Sequence, residues 1–334
     1  MTPGTLGAIP VIDLSDFGTS DKRRQEIARE VRHAAEEIGF FYISGHGVDT
    51  ELQVRLENLS RHFFSLPHEK KMQLRMELAG RAWRGYFPVG GELTSGQPDL
   101  KEGIYFGQEL GANHPKVRAN IPMHGANLFP DLLGFKDTVL TYMHEVTEIG
   151  HRLMRILSLS LSLPEDYFHR HFTRDPLVLF RIFHYPPAAQ ASETTSWGVG
   201  EHTDYGLLTI LKQDDRGGLQ IKRSGQWVEA PFLANTFICN IGDMLERMTG
   251  GLYKSTLHRV RNVSGKDRYS FPLFFDPGFD VKVGVVPGCS VKGDPLHDRW
   301  DQKSVHEFTG TYGDYILTKV GKVFPDLMPK LGKK

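Results

Sequence analysis

Cysteine is scarce in this chain. Its 334 residues include two, Cys239 and Cys289, and neither belongs to a metal-type cluster. That leaves no material for a disulfide framework and fits a reducing, intracellular compartment. Cys239 lies in the apolar run Phe237-Ile238-Cys239 and reads as an inert core residue. Net charge is missing as well, because 40 Lys and Arg balance 40 Asp and Glu. Without a basic block, charge suggests no nucleic-acid partner. No apolar run approaches the length needed to cross a bilayer. Met1 to Leu14 lack a basic stretch followed by an apolar core, so they do not read as a signal peptide. The expectation is a cytoplasmic protein with no membrane and no nucleic-acid partner, a monomer or weak homo-oligomer. Internal repeats and low-complexity segments are absent too.

What is present is a change of pattern along the chain. Pro10 to Leu14 form a short apolar strand, and Asp13 or Ser15 could cap the helix after it. Residues 21–38 carry Ile27, Val31, Ala34, Ala35 and Ile38 at helical spacing, with Gly39 as a stop signal. Phe40 to Ile43 read as a strand closed by the turn Ser44-Gly45-His46-Gly47, in which His46 is a structural residue. Residues 49–64 read as a second helix, and Pro67 opens a short helical segment through Met76. Residues 80–100 read as irregular structure anchored by Trp83, Tyr86 and Phe87, and residues 99–107 as extended. The longest helical pattern runs from Phe135 to Leu161.

After Pro164 short strands succeed one another: Leu177 to Tyr185, Leu207 to Gln213, Leu219 to Lys222, Trp227 to Glu229, Thr236 to Ile241, Ser255 to Val260, Tyr269 to Phe275 and Val281 to Val285. Their number and spacing predict an all-β sandwich or jelly-roll barrel. Residues 300–322 return to a helical pattern. The expected fold is thus mainly β with flanking helices: an N-terminal region over 1–130, a bracing helix over 131–165, a β core over 166–290 and a helical segment over 291–334, in one compact unit.

Three residues in the β region carry the chemistry. His202 and Asp204 stand at i and i+2 in Gly200-Glu201-His202-Thr203-Asp204-Tyr205-Gly206, so an extended backbone sends both side chains to one face. His258 answers them in Ser255-Thr256-Leu257-His258-Arg259-Val260. Two imidazoles and a carboxylate fill one face of an octahedron and leave the other open, which points to non-heme Fe(II) oxygenases. With 15 histidines in the chain, a His-x-Asp alone is a weak signal. A third feature strengthens it. Arg268 lies ten residues after His258, with Ser270 at i+2, and a guanidinium beside a hydroxyl makes a fork for a carboxylate.

The chain resembles the Fe(II)- and 2-oxoglutarate-dependent dioxygenases of the isopenicillin N synthase-like superfamily. The resemblance runs through Ile9 to Leu14, Gly39 to Gly47, His184-Tyr185-Pro186-Pro187, His202 to Thr209, Gly217 to Gln220, Asn240 to Met244, Tyr253 to Val260 and Arg268-Tyr269-Ser270. It implies a double-stranded β-helix (jelly roll) braced by helices. It further implies that His202, Asp204 and His258 ligate iron, that Arg268 and Ser270 grip the distal carboxylate of 2-oxoglutarate, and that Tyr185 hydrogen-bonds the same cosubstrate. The implied cofactors are Fe(II), 2-oxoglutarate and O2, with ascorbate as an available reductant. The implied reaction is hydroxylation, desaturation or ring closure of a small organic molecule, with release of succinate and CO2. One departure stands out. Many plant relatives carry Asn two residues before the tyrosine, and here the position is Phe183.

Arg181, Phe183 and Tyr185 share one strand face by alternation. Arg181 is therefore expected either to bind an acidic group of cosubstrate or substrate, or to pair with a structural carboxylate at the barrel rim. The expected pocket wall comprises Trp83, Tyr86, Phe87, Tyr105, Met244, Leu245, Phe275 and the C-terminal helix, each of which could equally be core. Competing readings stay open: an oxidase that does without 2-oxoglutarate, of the isopenicillin N synthase or aminocyclopropane-carboxylate oxidase type; an ethylene-forming enzyme; and a binding protein without turnover. A closed structural zinc site is disfavoured, because it prefers four ligands and usually cysteine.

Overall fold

The computed structural model describes residues 8–187, 197–291 and 304–324. Strand β1 (Val11–Asp13) comes first, and α1 (Asp21–Glu37) follows. Its cap is Ser20, whose side chain accepts from the Arg23 amide. Asp13 and Ser15, expected in that role, instead hydrogen-bond each other before the helix starts. Ile27, Val31, Ala34 and Ala35 are buried, as their spacing predicts. Gly39 ends the helix at φ +72°. A β-carbon there would lie 2.1 Å from the Lys254 carbonyl oxygen, so the position admits only glycine. Next come β2 (Phe40–Ser44), α2 (Thr50–Ser65), α3 (His68–Met72), β3 (Gly85–Phe87), β4 (Glu102–Gly107), α4 (Pro115–Arg118), the long α5 (Phe135–Ser160) and α6 (Tyr167–His171).

The β region contains β5 (Leu177–Tyr185), β6 (Val199–His202), β7 (Leu208–Gln213), β8 (Leu219–Arg223), β9 (Gln226–Glu229), β10 (Phe237–Ile241), the short helix α7 (Asp243–Met248), β11 (His258–Val260) and β12 (Arg268–Asp276). Helix α8 (Tyr312–Val323) closes the described chain behind a capping box made by Thr311 and Asp314. Two sheets result. The larger has the order β1-β2-β10-β7-β12-β5-β4-β3, and the smaller β6-β11-β8-β9. Among the described residues, all pairings of these strands are antiparallel except β1 with β2. The N-terminal strands thus extend the same sheet that carries β5, β7, β10 and β12. The fold is the jelly roll with bracing helices.

Alternation decides which side chains reach the interior. On β12, Ser270, Pro272, Phe274 and Asp276 line the cavity between the sheets, and Arg268 shares their face by alternation. The odd positions turn outward, and Phe275 packs on α5 against His151, with ring centroids 4.9 Å apart. Gly150 permits this approach, since a β-carbon there would meet Phe275 at 2.3 Å. Phe275, expected in the pocket wall, is therefore packed behind it. Two strand expectations also change. Val281 to Val285 form no strand, and only Lys282 makes an isolated bridge, to Thr311. Conversely β6, which carries His202, has no counterpart among the expected strands, because its sequence Val-Gly-Glu-His has no alternating apolar signal. The helix expected over 300–322 begins only at Tyr312, and residues 300–303 of it lie outside the described residues.

Candidate active site

His202 ends β6, His258 begins β11, and the register pairs the two directly. Their rings stand 4.2 Å apart, centroid to centroid. Asp204 sits two residues beyond β6, and its Oδ1 lies 3.7 Å from Nε2 of each histidine. The three ligand atoms are all within 4.8 Å of one another. The other ring nitrogens face backbone carbonyls: His202 Nδ1 to Gly200 O at 2.8 Å, and His258 Nδ1 to Thr256 O at 3.0 Å. A carbonyl only accepts, so Nδ1 carries the proton and Nε2 offers its lone pair to the centre. Asp204 is fixed through its second oxygen, Oδ2, which accepts from Thr209 Oγ1 at 2.5 Å and Asn240 Nδ2 at 2.7 Å. Its carbonyl accepts the Asp243 amide at 2.7 Å, which ties the turn to the start of α7.

Electrostatics suit a divalent cation. Burial, reinforced by His258, pushes the His202 imidazole down to about 4, so it is neutral at ordinary pH. Burial pushes the Asp204 carboxyl up, but the two histidines, Asn240 and Thr209 outweigh it and hold the group below its usual range. Two imidazoles and one carboxylate, with no cysteine beside them, form a donor set that fits Fe(II) with open positions.

One end of the cavity holds the fork. Arg268 is 1% exposed, and its Nε donates to Gly217 O at 2.6 Å. Its two terminal nitrogens are buried and meet no acceptor among the described residues. The guanidinium lies 4.6 Å above the Tyr185 ring, and the Tyr185 hydroxyl is 3.4 Å from Ser270 Oγ. The β5–β12 register pairs Arg268 with Tyr185 and Ser270 with Phe183. Arg268, Ser270 and Tyr185 thus converge. A buried guanidinium with two free donors fits a carboxylate taken up from solution.

The cavity opens to solvent, and the space within it and its mouth, open solvent included, is about 910 Å³. Its wall also carries a buried polar cluster that sequence reasoning missed. Lys101 pairs with Asp99 and with Glu92, the latter at 2.8 Å. Glu92 also accepts from the Tyr105 hydroxyl at 2.6 Å and lies 3.7 Å from Arg181. Trp83, Tyr86, Phe87 and Tyr105, expected in the wall, stand one layer behind it. Tyr105 contacts Trp83, Phe87 and Phe183 edge-on, so these aromatics buttress the cluster. Met244 and Leu245 are fully buried in α7 and do not line the cavity either. The C-terminal helix does line it, through Tyr312, Ile316 and Val323. Phe183 is in the wall, below the Lys101 ammonium at 4.8 Å, and supplies no amide. His46 is the structural turn residue expected, its Nδ1 accepting from the Val48 amide.

Comparison with known proteins accords with this geometry. Residues 9–132 match the family model of the non-haem dioxygenase in morphine synthesis N-terminal region, and residues 176–277 that of the 2OG-Fe(II) oxygenase superfamily. A probable iron/ascorbate oxidoreductase of Dictyostelium discoideum is 51% identical over 97% of this chain and 96% of its own length. The chain belongs to the 2-oxoglutarate–Fe(II) oxygenase superfamily. A 1-aminocyclopropane-1-carboxylate oxidase of Dictyostelium discoideum is 40% identical to this oxygenase, covering 96% of each chain. Among solved structures, a full-length Neurospora crassa protein in complex with α-ketoglutarate and thymine superposes with a TM-score of 0.79 at 28% identity. That match covers 94% of the oxygenase and 96% of the Neurospora chain.

The oxygenase is an Fe(II)- and 2-oxoglutarate-dependent enzyme that oxidises a small organic molecule with release of succinate and CO2. Among the described residues, no helix is long and apolar enough to cross a membrane. Some of its supporting residues did carry a signal. Asn240 is the polar member of the apolar strand Phe237–Ile241, and Asp276 closes the apolar strand β12. A lone polar residue inside a buried strand needs a partner.

Proposed function

We propose that His202, Asp204 and His258 hold the iron, and that Arg268, Ser270 and Tyr185 hold the distal carboxylate of 2-oxoglutarate. The observation that carries the reading is the pair of buried Arg268 nitrogens without a partner among the described residues. A desolvated guanidinium is costly until an anion meets it. When bound, iron and 2-oxoglutarate supply the activation of O2 and the oxidation of the substrate. The chain supplies the rest. Asp204 lowers the positive charge of the centre. The carbonyls of Gly200 and Thr256 keep each imidazole in the ligating tautomer. Thr209 and Asn240 stop the carboxylate from rotating. Arg268 fixes the orientation of the keto acid, which turns a two-body encounter into a set geometry. The apolar wall of Leu179, Leu211, Leu219 and Ile316 keeps bulk water away from the reacting atoms.

An anaerobic titration of the purified protein with Fe(II) and 2-oxoglutarate tests this. The expected result is the weak visible charge-transfer band of the chelate, absent from Arg268→Ala at the same concentrations. Iron binding without a band at any 2-oxoglutarate concentration would overturn the assignment of the fork. A second reading is supported by the relative named 1-aminocyclopropane-1-carboxylate oxidase. In that case the fork takes a substrate carboxylate or another small anion, and oxygen uptake proceeds without succinate release. We also infer a cytoplasmic setting, supported by a chain with two cysteines and, among the described residues, no disulfide.

A further inference from the structure

We propose that Arg181 anchors a carboxylate of the substrate, so that the enzyme acts on a small organic acid with an apolar body. The inference rests on the iron and cosubstrate reading above. Arg181 shares the inward face of β5 with Tyr185 but lies four residues away, or about 13 Å at 3.3 Å per residue. The β5–β12 register instead places Tyr185 next to Arg268. Arg181 lines the cavity itself, and Arg268 stands beside its lining residues Tyr185 and Ser270.

The setting of the guanidinium specifies the ligand. Tyr105, Phe274 and Trp83 cover its faces, with ring centroids 4.2, 4.5 and 5.2 Å from the central carbon. Stacking leaves only the edge free for hydrogen bonds. Along that edge Nε is buried and has no partner among the described residues. Glu92 approaches Nη1 only to 3.7 Å, outside hydrogen-bond distance; its Oε1 accepts from Tyr105, and its Oε2 is ion-paired with Lys101 at 2.8 Å. Glu92 thus offsets charge without satisfying the Nε donor. Lys101 is no rival anchor, because Asp99 and Glu92 close around its ammonium. Of the described lysines and arginines that line the cavity, Arg181 is the one with an unpartnered buried nitrogen. A planar donor edge with its faces blocked is complementary to a carboxylate, which accepts two parallel hydrogen bonds. The cavity wall around it is apolar at Leu179, Phe183, Leu211, Pro272, Ile316 and Val323, which suits a hydrocarbon or aromatic body.

The test uses the full chain with Fe(II) and 2-oxoglutarate under anaerobic conditions. The probes are octanoate, phenylacetate and 3-phenylpropanoate, each paired with its carboxamide. Perturbation of the visible band gives the affinity of each. At least one acid is expected to bind 10-fold or more tightly than its amide. In Arg181→Gln that preference should vanish, while 2-oxoglutarate affinity stays within twofold. If Arg181→Gln does not fold, the double variant Arg181→Gln/Glu92→Gln removes both charges together and takes its place. Acids that bind no better than amides, or a preference that survives in Arg181→Gln, overturn the proposal. So does a panel in which nothing binds. A 10-fold loss of 2-oxoglutarate affinity in Arg181→Gln also overturns it and moves Arg181 to the cosubstrate. The band before any acid is added tests the cosubstrate reading separately. Calorimetry of the Fe(II) protein with the same pairs reads the acid preference even if no band forms.

Discussion

Asn240 holds Asp204 from the middle of the larger sheet. Its Nδ2 donates to Asp204 Oδ2 at 2.7 Å from β10, a strand paired on both sides by β2 and β7. The carboxylate stands outside any strand, two residues beyond β6, yet its angle is set by a rigid one. Thr209 on β7 supplies the second donor to the same oxygen. Together they leave Oδ1 for the centre that His202 and His258 also face.

Losing that support should cost metal before it costs fold. In Asn240→Leu, a volume-conserving change, Asp204 retains Thr209 but loses its strand-borne donor. Fe(II) affinity is expected to fall about 10- to 100-fold, the usual penalty for removing an outer hydrogen bond to a ligand. Anaerobic metal titration measures it. An affinity within twofold of wild type would show that Thr209 alone orients the carboxylate.

Arg268 makes a prediction with opposite signs in two states. Without cosubstrate its terminal nitrogens are buried and unmet among the described residues. In Arg268→Met the unmet charge is gone, so the ligand-free variant should melt at or above the wild-type temperature. Added to the Fe(II)-loaded proteins, saturating 2-oxoglutarate should raise the melting temperature of wild type and leave that of the variant unmoved. A ligand-free variant several degrees less stable would mean that the guanidinium serves the fold through Gly217 and not the cosubstrate.

Much of this site is legible in the sequence because its signals are short-range. Arg-x-Ser puts paired groups on one strand face by alternation alone, and His-x-Asp keeps His202 and Asp204 close enough in the chain to converge on one cavity although the turn after β6 carries the carboxylate. The helices α1 and α5 are legible for the same reason, their apolar residues recurring every three or four positions. What is not legible depends on parity or on distance. Phe275 falls outside the wall because its even-numbered neighbours are the ones that face inward. Aromatics in a loop suit either layer, and only tertiary packing sends Trp83, Tyr86, Phe87 and Tyr105 behind the wall. The cluster of Glu92, Asp99 and Lys101 comes from a segment without periodicity, where no local rule tells a buried charge from a solvated one.

Gly206 illustrates a motif residue whose reason is visible only in three dimensions. A β-carbon at this position would stand 1.4 Å from Asp276 Oδ1. Its carbonyl also receives the Met244 amide at 2.9 Å, at the start of α7. The turn that carries Asp204 therefore cannot move away from Asp276 without breaking that bond. Gly206→Ala should destabilise the protein by roughly 1–3 kcal/mol, typical of overpacking, and displace Asp204. Chemical denaturation gives the first number and Fe(II) titration the second effect. If both match wild type, the turn is softer than its contacts indicate.

Asp276 should make stability fall with rising pH, against the usual trend for a carboxylate. It is buried beneath α8, its Oδ2 accepting from the Tyr312 hydroxyl at 2.5 Å and its Oδ1 from the Leu207 amide at 3.3 Å. Burial pushes its carboxyl up to about 7, against the pull of those two hydrogen bonds, and the nearby Asp204 charge adds to the rise. In the unfolded chain the group titrates near its ordinary value of 3.8. Between those values the folded state holds a proton that the unfolded state has released. Stability from this group is therefore complete below about pH 4 and is lost as pH rises through 7. At 1.36 kcal/mol per unit, the loss is on the order of a few kcal/mol. Asp276→Asn, which stays neutral and can still accept from Tyr312, should lack this component. Denaturant unfolding of metal-free wild type and variant at pH 5 and pH 8 isolates it, because titrations of distant groups cancel in the difference. The variant should gain on wild type, between the two pH values, by the part of that loss that falls above pH 5. Parallel pH profiles would mean that Asp276 is ionised when buried, with Tyr312 and Leu207 sufficient to hold its charge.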